Sequence, residues 1–161
     1  MKRAISILVS MILIVITFNS LGYAQATKVI GKLYTKADAD QIYGKVNTSV
    51  TVNTITLQQA IEKSPDYLMF NIINGHLIIL NRKRAVLYST DAATTSVAMN
   101  VVFHVLSSSI LKQLISTGGN NAFTTVELRD NDVLTITNGN ETADNSFLCP
   151  PICPPPPPPG N

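Results

Sequence analysis

Residues 67–73 (Tyr-Leu-Met-Phe-Asn-Ile-Ile) and 76–81 (His-Leu-Ile-Ile-Leu-Asn) are two runs rich in β-branched and aromatic side chains, separated only by Asn74-Gly75. A two-residue connection of this kind needs positive φ at both positions, and Asn-Gly adopts that at little steric cost. The pair therefore predicts a tight antiparallel hairpin. It also commits the chain to an antiparallel sheet, because a parallel neighbour would need a crossover of a dozen or more residues.

The flanking segments extend this hairpin into a domain. Arg82-Lys83-Arg84 is a basic turn leading into a third strand at 85–89. Upstream, a strand at 28–34 precedes a helix at 36–43, capped by the Thr35 hydroxyl and stopped by Gly44. A strand at 49–53 follows, then a helix capped by Thr54 or Thr56, with Leu57, Ala60 and Ile61 on one face and Ser64-Pro65 at its end. Downstream, the β-branched run 97–106 has the length of a central strand. Ser107, Ser108 and Ser109 offer caps to a helix at 110–116, with Ile110, Leu111, Leu114 and Ile115 as its apolar stripe and Gly118-Gly119 as its stop. A last hairpin joins 122–129 to 133–137. Thr124, Val126 and Leu128 alternate there with Thr125, Glu127 and Arg129, so one face is expected to be wet.

These elements define an α+β fold, mainly an antiparallel sheet with two or three short helices on one face. Strand, helix, strand, turn, strand occurs twice, over 49–81 and 97–138, with Leu57 and Ile61 answering Leu111 and Ile115. The pattern marks a candidate duplicated βαββ unit. Residue identity between the copies is poor, so chance resemblance is the competing explanation.

Composition shifts at both ends set the expected domain limits. Lys2-Arg3, the apolar run 4–18 and a small-residue exit ending Ala24-Gln25-Ala26 read as a secretory signal cleaved after Ala26. The apolar run of 15 residues falls short of the ~20 needed to span a bilayer. The expected organisation is signal peptide 1–26, a single domain 27–138, and a polar linker with a Cys/Pro-rich tail at 139–161. The expected location is secreted, periplasmic or cell-surface, with no stable membrane insertion after cleavage. The formal charge of +2, from 12 Lys+Arg against 10 Asp+Glu, then belongs to the signal. A neutral domain argues against an electrostatic nucleic-acid binder, and 45% hydrophobic residues argue against a wholly disordered chain.

Cys149 and Cys153 are the most distinctive chemical groups. On a polyproline path their Cα atoms would lie ~12 Å apart, beyond the ~7 Å a disulfide bridges, so a local bond requires a turn. A local disulfide, an intermolecular one and a thiol-redox pair are the three readings. Pro154, Pro155, Pro156, Pro157, Pro158 and Pro159 form a rod of ~19 Å that serves either as a spacer or as a docking element for an aromatic-lined groove.

The only histidines are His76 and His104. His104 lies close in sequence to Ser107–Ser109, yet no Gly-x-Ser-x-Gly elbow is present and the serines read as caps. Asp38, Asp40, Asp130 and Asp132 resemble fragments of calcium loops. Counting from Asp38, Tyr43 and Ser49 stand where an EF-hand needs Gly and Glu. No catalytic residue, cofactor or metal is assigned. The expectation is a non-enzymatic module that binds a protein partner or copies of itself through strand surfaces or edges and the tail. The alternative is an exported thiol-redox protein using Cys149 and Cys153; a small-molecule ligand is left open.

Overall fold

The hairpin forms around Asn74 and Gly75 at φ +51° and +81°, with Ile73 opposite His76. The computed structural model containing it describes residues 29–119, 121–144 and 146–149. Among these the order is β1 (Lys32–Thr35), α1 (Lys36–Tyr43), β2 (Val46–Asn53), α2 (Thr54–Lys63), β3 (Tyr67–Ile73), β4 (His76–Leu80), β5 (Val86–Ser89), β6 (Phe103–Ser107), α3 (Ser108–Thr117), β7 (Phe123–Arg129), β8 (Leu134–Asn138), β9 (Glu141–Asp144) and β10 (Phe147–Cys149). A 3-10 turn at Asp130–Asp132 links β7 and β8.

The fold is α+β and every strand pairing is antiparallel, but the strands divide between two sheets. The first has the order β1-β9-β8-β7-β2 and the second β10-β6-β3-β4-β5. Strand, helix and three-strand meander occur in that order twice, as β2-α2-β3-β4-β5 and β6-α3-β7-β8-β9. Each leading strand crosses to the other unit's meander: β2 lies beside β7, and β6 beside β3. Registers correspond. Asn53 faces Phe123 as Ser107 faces Tyr67, and Val50 faces Val126 as His104 faces Phe70. The Thr54 N–H donates to the Ala122 carbonyl (2.9 Å), and the Ser108 N–H to that of Asp66 (3.1 Å). The two units thus share an element order and a register while differing in sequence.

The main core lies where both sheets meet α2 and α3. Val52, Val126, Leu134, Ile136 and Ala143 contribute from the first sheet, and Leu68, Phe70, Ile72, Leu77, Ile79 and Leu106 from the second. The helical stripes Leu57-Ala60-Ile61 and Leu111-Leu114 complete it. A smaller cluster, including Met69, Leu80, Phe103 and Val105, covers the opposite face of the second sheet. Helix α1 packs on the opposite face of the first sheet, so two of the three helices, α2 and α3, share the core face. Burial of such apolar groups stabilises by roughly 25 cal/mol per Å².

Several expectations shift. Asn53, not Thr54 or Thr56, caps α2, its Oδ1 accepting from the Ile55 N–H at 2.9 Å; Thr54 instead donates its hydroxyl to the Asn121 carbonyl. Of the run 97–106 only Phe103 onward is strand. The preceding segment is irregular, and the Arg84 guanidinium donates to the carbonyls of Ala98 and Val101 there. The boundary expected at 138 also moves. β9 inserts between β8 and β1 with Ala143 fully buried, and β10 pairs with β6.

Candidate functional site

Strand β2, Val-Asn-Thr-Ser-Val-Thr-Val-Asn, carries no charge and has one neighbour, β7. The Thr54 N–H points to β7, so by alternation the backbone groups of Val52 and Val50 point there too, and those of Ser49 and Thr51 point away. Among the described residues no strand lies on that side. Natural edges are usually blunted by charge, proline, bulges or shortness. Here one irregularity, between Val46 and Thr48, marks one end, and nothing interrupts the strand beyond it.

The corresponding edge in the second sheet is covered. β10 pairs along β6, with Phe147 opposite Val105, Leu148 opposite His104 and Cys149 opposite Phe103. At the next position the Ser107 N–H donates to the Ile30 carbonyl (2.8 Å), and the Ile30 N–H donates to Ser107 Oγ (2.7 Å). Two distant segments of the chain thus close the β6 edge, while among the described residues its counterpart on β2 is left open.

Beneath α1, the face of the first sheet expected to be wet holds an ion network. Arg129, fully buried, donates from Nη2 to Glu127 Oε2 (2.7 Å), from Nη1 to Asp40 Oδ1 (2.7 Å) and the Gly44 carbonyl (3.0 Å), and from Nε to Thr135 Oγ1 (2.9 Å). Lys36 Nζ lies 3.6 Å from Glu127, and the Thr135 and Thr137 hydroxyls also donate to that carboxylate. The Arg129 bond holds the Asp40 carboxyl below its ordinary range. Burial opposes the charge on Arg129, but the bonds to Asp40 and Glu127 outweigh it and raise its pKa. Burial, reinforced by Tyr34 and Asp144, raises the Tyr43 phenol. Lys36, Asp40, Gly44, Lys45 and Val46 line a depression of about 530 Å³ beside this network. Of its three ionic groups, Lys36 and Asp40 are already engaged with Glu127 and Arg129, which suits a structural role.

The remaining candidates are dispersed. His104 is buried on β6, its Nδ1 3.1 Å from Ser146 Oγ, and desolvation lowers its pKa. Ser107 accepts from Ile30, and Ser108 donates to the Ser64 carbonyl, so neither serine is turned to His104. His76 is exposed at the hairpin turn. Asp130 accepts from the Lys45 N–H at the 3-10 turn, and Asp38 closes the first turn of α1 with Thr35. Among the described residues no three His, Cys, Asp or Glu side chains gather to hold a metal ion, and no helix is long and apolar enough to cross a membrane. Cys149 ends β10, whereas Cys153 and Pro154–Pro159 lie outside the described residues, as does the expected signal at 1–26. The open β2 edge was invisible in sequence, because it depends on which distant strand becomes its neighbour. Comparison with known protein families, curated proteins and solved structures returns no match.

Proposed function

We propose that this protein is an exported, non-enzymatic module of the cell envelope or the extracellular space that binds a protein partner or assembles with copies of itself. It does so by adding a strand to the open edge of β2, with the Cys149–Pro159 tail as a second docking element. The supporting observation is the eight-residue uncharged edge itself, left open among the described residues where its counterpart β6 is covered. An exposed edge presents a row of unpaired N–H and C=O groups, and strand addition satisfies them with main-chain bonds. The non-enzymatic reading is supported by the way the charged side chains of this face are used: Glu127 and Asp40 are balanced by Arg129 and Lys36.

The test measures sedimentation of the exported chain and its retention of envelope proteins, each compared with Thr51→Pro. Proline at Thr51 removes an N–H that faces away from β7, a position where edge strands tolerate it. Wild type is expected to associate with itself or retain a partner, and the variant to do neither. A wild-type chain that stays monomeric and retains nothing sensitive to Thr51→Pro ends this reading.

A further inference from the structure

We infer that the occupant of the β2 edge is β2 of a second copy, paired antiparallel about a two-fold axis through Val50; this rests on the strand-addition reading above. Three observations converge on it.

The first is orientation. The counterpart edge on β6 takes a strand of this same chain, antiparallel, with Leu148 opposite His104, the residue that corresponds in register to Val50. The second is self-complementarity. Turning β2 about Val50 sets Ser49 opposite Thr51, Thr48 opposite Val52 and Asn47 opposite Asn53. Small polar groups meet one another on the outer face and β-branched groups on the inner. Ser49 and Thr51 are the residues whose backbone faces outward. Their two reciprocal pairs exchange about four N–H···O bonds, since each hydrogen-bonded pair of an antiparallel ladder shares two.

The third is charge. Strand β2 has none, and the nearest cation in sequence is Lys45, just before it. In the two-fold arrangement the two Lys45 residues fall at opposite ends, ten positions or ~34 Å apart, well beyond the ~8 Å Debye length at physiological salt. Strand β2 therefore brings no charge of its own to oppose the approach. The first sheet would continue across the axis, and Val50, half-buried in one copy, would be covered by its equivalent. The geometry closes at two copies, as an isologous contact does.

The experiment is sedimentation equilibrium of the full exported chain up to about 1 mM, alongside Thr51→Pro and Thr51→Lys. The expected result is a monomer–dimer equilibrium with no larger species. Thr51→Pro weakens it at least about tenfold, while the monomer's unfolding midpoint stays near that of wild type. Thr51→Lys, whose side chain starts from an exposed position and folds without backbone change, weakens it too and partly recovers with added salt. A monomer throughout, growth beyond the dimer, or a dimer indifferent to both substitutions overturns the inference. A monomeric wild type that still retains an envelope protein released by Thr51→Pro refutes self-pairing and leaves partner binding standing; retention of nothing refutes both.

Discussion

Replacing Arg129 with methionine tests whether the network under α1 holds the first sheet to that helix. The guanidinium is fully buried and makes four hydrogen bonds, two of them to carboxylates at 2.7 Å. Removing one partner of a buried ion pair costs about 3–5 kcal/mol, largely because the other charge is left buried. Here Glu127 keeps Lys36 at 3.6 Å and the Thr135 and Thr137 hydroxyls at 3.0 and 3.2 Å, so the lower end, ~3 kcal/mol, is expected. For a domain of this size that lowers the melting temperature by ~10–15 °C. Asp40 lies at the solvent end of the same network with 51% of its side chain exposed, so Asp40→Ala is expected to cost at most about 1 kcal/mol. The double variant Glu127→Leu/Arg129→Met removes both buried charges and is expected to be more stable than Arg129→Met alone. Urea unfolding followed by circular dichroism, with unchanged m-values, measures all three. A cost for Arg129→Met no larger than that for Asp40→Ala would refute the reasoning.

Stability should also depend on pH through His104. Burial lowers its pKa from the ordinary 6.5, so the unfolded chain takes up a proton more readily than the folded one. Its contribution is complete above about pH 6.5 and declines as pH falls towards the depressed folded value, so the melting temperature should drop from pH 7 to 5; in His104→Leu that slope should flatten. Gly75→Val forces a β-branched residue to φ +81° in the hairpin turn and should cost about 1–2 kcal/mol in the same urea assay, whereas Gly75→Asn should cost less. Leu111→Ala empties a fully buried site between the sheets and should cost about 3–4 kcal/mol; under 1 kcal/mol would mean that α3 is not seated in the core as described.

Signals confined to a few neighbouring residues were legible in the sequence. Thr35 and Gly44 bracket α1 as expected, Asn74-Gly75 makes the hairpin, and Leu57, Ile61, Leu111 and Leu114 face the core. What failed depended on distant partners. Thr125, Glu127 and Arg129 look like a solvent face until Asp40, 89 positions before Arg129, brings α1 over Glu127 and Arg129. Strand β9 falls within the expected linker because the stretch Asn-Gly-Asn-Glu-Thr-Ala-Asp-Asn-Ser is polar and turn-rich. Thr142 and Asp144 nevertheless lie buried against the same polar layer, opposite Tyr34 and Lys32 of β1. The run 97–106 is apolar for another reason: Val97 and Val101 pack on the smaller cluster without joining a ladder. Division into two sheets could not be read locally, since each leading strand pairs across the chain. The candidate edge shares that origin, because β2 is an edge only once β7 has become its sole neighbour among the described residues.

The crossed placement of β2 and β6 makes the two halves mutually dependent. A chain severed in the irregular stretch between Ser89 and Phe103 yields one piece whose meander lacks its flanking strand, and another lacking the reciprocal strand. Neither fragment can close a core alone, yet each carries what the other needs. Co-expressed, they should reconstitute by complementation, with tags at the new ends reporting assembly. In the intact chain the same interlock couples the sheets, so unfolding should proceed as one cooperative event with no half-folded survivor.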